Sequence, residues 1–117
     1  MVDTTFFYRP VNQAKLDLIA ASGWRDFPPR LPEQPIFYPV LNEEYAVQIS
    51  RDWNAPYYGV GYAVRFAVNI AYLQHFAVQN VGGRHHNELW VPAEQLAEFN
   101  QHIQDLIEVT HTFRRQA

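Results

Sequence analysis

The sequence predicts an α+β fold with a small bent or split sheet, mixed or antiparallel, flanked by about three helices. Segments with strand character outnumber helical ones, and three of them follow one another within residues 60–91. This order differs from the strict alternation of strands and helices that is typical of a parallel sheet. The segment 24–35 holds four prolines, so it is predicted to be a long ordered loop rather than a helix or a central strand.

The first strand–helix unit precedes this loop. Residues 4–8 are β-branched and aromatic, which predicts a strand that ends before Pro10. Apolar residues then recur at helical spacing over roughly residues 12–22, and Gly23 is a typical helix stop. Trp24 and Phe27 are available to anchor the loop that follows.

The second strand–helix unit follows the loop. Residues 36–40 predict a short strand, and Pro39 favours an edge position or a bulge. Asn42 is a good N-cap, and two glutamates follow it in the first turn, where the helix dipole favours negative charge. The helix is predicted to reach about Asn54, with a turn at residues 55–59.

The second half of the chain is predicted to contain more strands than helices. Alternating apolar residues predict a strand at 60–68, and shorter strands are predicted at 75–81 and 87–91. Apolar residues at helical spacing predict a helix over 93–106, and the alternating segment 107–113 predicts a final strand.

Composition narrows the class of protein. A chain of 117 residues predicts a single domain, residues 1–117, because domains usually contain about 100 to 200 residues. The net charge is −3 and Lys15 is the one lysine, so strong nucleic-acid binding is not expected. There is no cysteine and no apolar run long enough to span a membrane, so we expect a cytoplasmic protein without membrane contact. Exposed aromatic residues on the proline-rich loop would favour a homo-oligomer.

The sequence HHNELWVP, residues 85–92, contains the most informative carboxylate. Glu88 begins an otherwise apolar strand after a loop with two adjacent glycines. Three interpretations are open: Glu88 is a solvated strand end, a metal ligand beside the histidines, or a catalytic carboxylate at the edge of a cleft. His85 and His86 are adjacent and would point to opposite faces of a strand, so no metal site is predicted. His86 and Glu88 share a face, which makes His86 a candidate acid–base or acceptor-orienting partner.

Three segments, FFYRPV, PIFYPVLNEEYAVQIS and HNELWVPAEQL, occur in this order along the chain. Together they resemble the ADP-ribosyltransferase-like fold, in which a glutamate precedes two apolar residues and a proline. The whole sequence also resembles short bacterial proteins that carry the label "ADP-ribosylation/crystallin J1". The resemblance implies that NAD is a substrate, that Glu88 is the catalytic glutamate, that Arg9 contacts the nucleotide and that Tyr38 braces the nicotinamide side. The acceptor of ADP-ribose stays open.

Further residues are candidates for the same site. Arg25 and Arg30, on the proline-rich loop, are alternatives to Arg9 for contact with a phosphate, because the guanidinium group binds anions in a planar, bidentate manner. Tyr8 and Tyr45, like Tyr38, could stack on nicotinamide or adenine, although tyrosines at strand spacing are more often part of a core. A non-catalytic domain of the same fold that binds a nucleotide or a protein partner is the alternative function.

Overall fold

The computed structural model describes residues 3–83 and 86–116 and has a mixed α+β architecture. The strands in chain order are β1 (Thr4–Val11), β2 (Ile36–Phe37), β3 (Val60–Asn69), β4 (Val78–Asn80), β5 (Asn87–Leu89), β6 (Val91–Pro92) and β7 (Ile103–Arg114). The helical elements are α1 (Gln13–Ala21), α2 (Glu43–Ile49), a π-helical turn (Ser50–Asn54), α3 (Ala55–Tyr58), α4 (Ile70–Leu73), a 3-10 turn (Ala93–Gln95) and α5 (Leu96–Gln101).

Strand β3 lies at the centre of a three-stranded antiparallel sheet, between β1 and β7. The alternating apolar residues predicted for this strand are buried, and they are Val60, Tyr62, Val64, Phe66 and Val68. Ala63 and Ala67, on the other face of β3, are buried as well. The strand therefore has side chains in contact with protein on both faces, as its nearly continuous apolar sequence requires.

Two isolated bridges extend this sheet beyond β1. Tyr8 pairs with Val40, and Val40 pairs in turn with Glu88, both antiparallel. Phe37 in β2 pairs with Val91 in β6 in the same register. The segment 36–41 therefore lies between β1 and the segment 87–92, and β4 pairs with β5 on the far side. All of these pairings are antiparallel, within the predicted range of sheet types.

The main core is a cluster of aromatic rings beneath the sheet. Phe27 lies 5.0 Å from Phe37 and 4.7 Å from Phe66, measured between ring centroids. The side-chain amide of Asn100 donates to the carbonyl of Phe27 and accepts from its backbone N–H, each at 3.0 Å. The prediction that Phe27 anchors the proline-rich loop agrees with this packing, and Trp24 also packs against the core.

Pro10 does not end the first strand, contrary to the prediction. β1 continues to Val11 because Tyr8 directs its backbone N–H and carbonyl toward Val40, away from β3. Pro10 lies two residues later, so its nitrogen also faces away from β3, and no ladder bond to β3 is lost. Continuing the Tyr8–Val40 pairing would place Pro10 opposite Tyr38, where the missing N–H stops the ladder. The proline therefore ends the pairing with the segment 36–41 rather than the strand.

The helix that follows Asn42 is longer than predicted, and the predicted turn at residues 55–59 is helical in large part. Asn42 is the N-cap, since its side chain accepts a hydrogen bond from the backbone N–H of Glu44 at 2.8 Å. The chain then forms the π-helical turn and α3 before Gly59 ends the helix with a φ of 91°. Pro56 is tolerated because it lies at the start of α3, where its missing N–H is not needed.

Gly61 permits the close approach of β3 to the π-helical turn. A Cβ atom at this position would lie 2.2 Å from the carbonyl oxygen of Ser50 and 2.9 Å from the Cβ of Asn54. We expect Gly61→Ala to lower the free energy of unfolding by about 3 kcal/mol, the upper part of the usual range for overpacking. Urea denaturation measures the change.

Gly59→Ala is the matched control, because a Cβ there meets no atom within 4 Å and has only its positive φ to oppose it. Its expected cost is about 1 kcal/mol. Equal losses for the two variants would contradict close packing at Gly61.

Three further segments differ from the sequence prediction. The strand at 36–40 is regular only at β2, because Pro39 cannot donate to the ladder. The strand predicted at 75–81 is limited to β4, since the backbone N–H groups of His75 and Phe76 continue the turns after α4. The predicted helix 93–106 ends at Gln101, and β7 begins at Ile103 instead of residue 107.

The early start of β7 reflects pairing with the central strand. Ile103 pairs with Val68 and Gln104 with Ala67, so ladder bonds replace the helical bonds that the sequence pattern suggests. Asp105 has a φ of 62°, at the irregularity where the register shifts. Leu106, whose spacing contributed to the predicted helix, is exposed, whereas Ile107 is buried.

The aromatic residues with the greatest exposure lie on the π-helical turn and α3, and they are Trp53, Tyr57 and Tyr58. Trp24 on the proline-rich loop is partly buried against the core, so this loop does not supply the exposed ring on which the oligomer expectation depended. In the described part of the chain, no helix is long and apolar enough to cross a membrane.

Candidate functional site

The strand that carries Glu88 is separated from β1 by the segment 36–41. The backbone N–H of Tyr8 donates to the carbonyl of Val40 at 2.9 Å, and the N–H of Val40 donates to the carbonyl of Tyr8 at 2.8 Å. On the other side, the N–H of Leu89 donates to the carbonyl of Pro39 at 2.8 Å. These bonds fix Glu88 beside Val40, in the middle of a paired segment rather than at a frayed strand end.

The carboxylate of Glu88 accepts hydrogen bonds from two aromatic side chains. The indole Nε1 of Trp90 donates to Oε1 at 3.0 Å, and the hydroxyl of Tyr45 donates to Oε2 at 3.3 Å. Glu88 is half-buried. Because each carboxylate oxygen has two lone pairs, both oxygens can still accept a bond from a ligand. The carboxylate is therefore oriented by its neighbours and retains acceptor capacity.

His86 reaches Glu88 through Tyr45 rather than directly. Its ring stacks on Tyr45 with 4.3 Å between centroids and an interplanar angle of 20°. Its Nδ1 accepts from the backbone N–H of Gly83 at 3.2 Å, which leaves the ring proton on Nε2 to be donated to Gln48 Oε1, also at 3.2 Å. His86 thus holds the ring of Tyr45 in place, and Tyr45 contacts the carboxylate.

The remaining two tyrosines lie on the borders of this group. Tyr38 meets Trp90 edge to face, with 6.0 Å between ring centroids. Tyr8 packs with Val40 in a small second core cluster, in which Tyr45 is also partly buried. We refer to Glu88, Trp90, Tyr45, His86 and Tyr38 together as the Glu88 cluster.

Arg9 lies in a different environment. Its guanidinium carbon is 4.6 Å from the ring centroid of Phe37, and its Nη1 donates to the carbonyl of Tyr38 at 3.0 Å. This is the carbonyl that Pro10 cannot reach, so the arginine side chain takes the place of a backbone donor. The Nε of Arg9 is buried without a hydrogen-bond partner.

Arg30, from the proline-rich loop, lies over the same ring of Phe37, with its guanidinium carbon 6.0 Å from the centroid. Its Nε is also buried without a partner. Lys15 on α1 lines the same narrow cleft, together with apolar residues that include Phe27 and Pro28. We call Arg9, Lys15 and Arg30, with Phe37 beneath them, the cation cleft. Arg25, the other candidate, is exposed at the start of the loop.

The charges of the cation cleft affect one another. Burial lowers the pKa of Arg9, the positive charge of Arg30 lowers it further, and Glu88 raises it. Burial likewise lowers the pKa of Lys15, with further lowering by Arg30 and Arg9. Arg30 thus lowers the pKa of both Arg9 and Lys15, and Arg9 lowers that of Lys15, so a bound anion would favour the charged forms of these side chains.

The Glu88 cluster and the cation cleft lie on opposite faces of the sheet. Cross-strand partners point to the same face, so Tyr8, Val40 and Glu88 share one face. Arg9 follows Tyr8 and points to the other face, toward Phe37. The sequence-predicted site residues therefore form two adjacent groups, although Glu88 is close enough to influence the pKa of Arg9.

Two members of these groups were missed by sequence reasoning. Trp90 lies two residues after Glu88 and therefore on the same face, a spacing that could have identified it. Lys15 carries no such signal, because its approach to Arg9 depends on how α1 packs. Arg9, Arg30, His86, Glu88 and the tyrosines were named as candidates from the sequence.

Tyr45 provides a test of its contact with Glu88. Burial, the charge of Glu88 and the hydrogen bond together raise the pKa of Tyr45 above its ordinary value of 10.0. We expect Glu88→Gln to lower the pKa of Tyr45 toward that value, because the negative charge of Glu88 and its acceptance of the tyrosine proton are lost. An NMR titration of carbon-13-labelled tyrosine from about pH 8 to 12 measures this. An unchanged pKa would contradict the contact.

The same shift affects stability. Since the pKa is higher in the folded than in the unfolded chain, the folded state holds this proton more tightly above pH 10. The contribution of Tyr45 to the free energy of unfolding is complete below about pH 10 and falls as the pH rises further. Tyr45→Phe should remove this part of the alkaline dependence.

Among residues 3–83 and 86–116, no group of three or more histidine and carboxylate side chains could hold a metal ion. His85, whose predicted position opposite His86 was part of the metal argument, lies outside the described residues. Comparison of the chain with protein-family models, curated proteins and solved structures gives no significant match. The Glu88 cluster and the cation cleft are therefore interpreted from their own chemistry.

Proposed function

We propose that this protein is an ADP-ribosyltransferase-like enzyme that cleaves the nicotinamide–ribose bond of NAD and transfers ADP-ribose to an acceptor. The observation that carries the proposal is the oriented, half-buried carboxylate of Glu88, which lies one strand from Arg9 and influences its pKa. The segments that resemble the ADP-ribosyltransferase-like fold, around residues 6–11, 35–50 and 86–96, contribute neighbouring parts of the sheet.

The chemistry requires a negative charge close to the ribose. As the bond to nicotinamide breaks, its electron pair leaves with the nicotinamide nitrogen and the ribose develops oxocarbenium character, as in glycoside cleavage. A fixed carboxylate stabilises that positive charge and accepts a hydrogen bond from a ribose hydroxyl. The donors Trp90 and Tyr45 orient Glu88 for this purpose and leave lone pairs free.

The sheet also offers a place for the nucleotide. The ladder between β1 and the segment 36–41 stops after the Tyr8–Val40 pair, where Arg9 donates to Tyr38 across the gap. A dinucleotide would place its nicotinamide end near Tyr38 and Trp90, with Glu88 at the ribose. It would have to cross the sheet where this ladder stops for one of its phosphate groups to reach Arg9 and Arg30 on the opposite face. The acceptor nucleophile would attack the anomeric carbon of the ribose, from which nicotinamide has left, and its proton would pass to the solvent.

A non-catalytic nucleotide-binding domain is the second candidate. It is favoured by the fact that both oxygens of Glu88 already accept hydrogen bonds from side chains in the unliganded protein. Such an arrangement also suits a carboxylate that stabilises the fold, or one that binds a ligand without reacting with it.

Proton NMR of NAD with the purified protein distinguishes the two candidates in one sample. Appearance of free nicotinamide is the result expected for the enzyme. Broadening of the NAD signals without nicotinamide release, in the presence of water and of added model acceptors such as agmatine or a short DNA strand, would favour the binding domain. Sharp, unchanged NAD signals would exclude NAD as a ligand at the concentration used.

A further inference from the structure

The cation cleft holds more positive charge than its protein neighbours compensate. Within the described residues, ion pairs join Arg51 to Asp52 and Arg65 to Glu108. No carboxylate in that part of the chain lies within ion-pair distance of Arg9, Lys15 or Arg30. Three adjacent cations without a counterion are unfavourable in a folded protein unless a ligand supplies the negative charge.

Burial makes this arrangement costly for the free protein. Arg9 is half-buried, and its Nε is buried and donates to no acceptor. The Nε of Arg30 is also buried without an acceptor, and its guanidinium lies near the same ring of Phe37. A buried donor without a partner costs roughly 1 to 3 kcal/mol, and more when it is charged. The Nε of Arg65 is also buried without a partner, but Arg65 is paired with Glu108. Arg9 and Arg30 differ in that they lie beside one ring without a carboxylate partner, and this combination indicates a ligand site.

The shape of the cleft limits which anion can enter. Its cavity volume is about 10 Å³, and Val11, Ile19, Phe27 and Pro28 form apolar walls beside the cations. A cavity of this size holds about one water-sized group. An oxygen of a phosphate can enter while the rest of the phosphate stays at the mouth, whereas a base or a ribose ring is excluded.

We propose that the cation cleft binds a terminal phosphate, with Lys15 as the third cation beside Arg9 and Arg30. A phosphomonoester has three terminal oxygens and almost two negative charges at neutral pH, which suits three converging cations. Each phosphorus of an internal diphosphate has one charge and two free oxygens. Phosphate binding itself is independent of the proposed function. If that function holds, the preferred nucleotide carries a phosphate in addition to the diphosphate of NAD.

Isothermal titration calorimetry of the full chain tests this with three probes: NAD, its 2′-phosphorylated form and inorganic phosphate. We expect the 2′-phosphorylated dinucleotide to bind about 10-fold more tightly than NAD at pH 7.5, as a charge-assisted contact to a phosphate implies. Lys15→Gln should bring the two dinucleotides to similar affinity. Arg25→Gln is the matched control, since it removes an exposed arginine from the proline-rich loop that carries Arg30. It should leave the preference for the phosphorylated dinucleotide unchanged.

These titrations answer two questions: whether the cation cleft binds a phosphate group, and which molecule carries that group. Inorganic phosphate could bind as tightly as the phosphorylated dinucleotide and lose this affinity in Lys15→Gln. That result would support phosphate binding in the cation cleft and identify free phosphate as the ligand. Equal affinity for the two dinucleotides together with no phosphate binding would overturn the proposal, as would equal effects of Lys15→Gln and Arg25→Gln. Failure to release nicotinamide would count against the proposed function alone.

Discussion

Replacement of Glu88 by glutamine is expected to slow the release of nicotinamide from NAD by about 100- to 1000-fold. The loss of one preorganised electrostatic contact to a charged transition state typically has an effect of this size. The substitution keeps the shape of the side chain. Its amide oxygen can still accept from Trp90, and its amide nitrogen can donate to the hydroxyl of Tyr45. The rate follows from a proton NMR time course of free nicotinamide.

The control for this variant is Glu94→Gln, which removes an exposed carboxylate from the 3-10 turn before α5 and should leave the rate unchanged. Thermal unfolding of the Glu88→Gln variant near the wild-type temperature would show that the fold is kept. A wild-type rate in a folded Glu88→Gln variant would refute the assignment of Glu88 as the catalytic carboxylate.

Phe99→Ala is expected to lower the free energy of unfolding by about 3 to 5 kcal/mol, as truncation of a buried phenylalanine usually does. The side chain is fully buried. Its ring centroid lies 5.6 Å from that of Phe37, 6.1 Å from that of Tyr72 and 6.3 Å from that of Phe66. Since single domains are stable by roughly 5 to 15 kcal/mol, this loss is a substantial part of the total stability. Urea denaturation at 25 °C measures the loss.

Tyr57→Ala serves as the comparison, because this ring is 79% exposed and lies on α3. Its expected effect is within about 0.5 kcal/mol. A loss below 1 kcal/mol for Phe99→Ala would mean that the aromatic core does not have the packing described. The same variant also removes support from Phe37, so binding of anions in the cation cleft should weaken in parallel with stability.

The sequence was sufficient to predict elements whose signals are local. Asn42 was predicted as an N-cap, and its side-chain oxygen accepts a hydrogen bond from the backbone N–H of Glu44. β3 was predicted from alternation alone, and its apolar residues are buried. The α+β class followed from the order of such elements.

The boundaries that failed depend on distant partners. Ile103 and Leu106 have helical spacing, yet ladder bonds between β7 and β3 override this local preference. Pro10 interrupts pairing only with the neighbouring strand that its nitrogen faces. The sequence does not say which neighbour lies on which side of β1. Both errors concern tertiary contacts between segments about 35 to 60 residues apart, which no local pattern encodes.

The features of the candidate site also divide into those that the sequence could predict and those that depend on tertiary contacts. Glu88 and Arg9 were identified by residue type and by the resemblance of their segments to a known fold. That they occupy opposite faces follows from the register of Tyr8, Val40 and Glu88, and register depends on the whole sheet. The cation cleft required the folding of α1 and the proline-rich loop over Phe37, so the part played by Lys15 was not predictable.

The interruption of the sheet at Pro10 has a consequence for local cohesion. Beyond the Tyr8–Val40 pair, one side-chain hydrogen bond, from Arg9 to the carbonyl of Tyr38, spans the two segments. A net hydrogen bond contributes only about 1 kcal/mol, so the backbones of the two segments are held together less strongly here than in the flanking ladders of β1 with β3 and of β2 with β6. The sheet thus has its weakest backbone pairing next to Arg9 and Tyr38, the side chains proposed to contact a nucleotide.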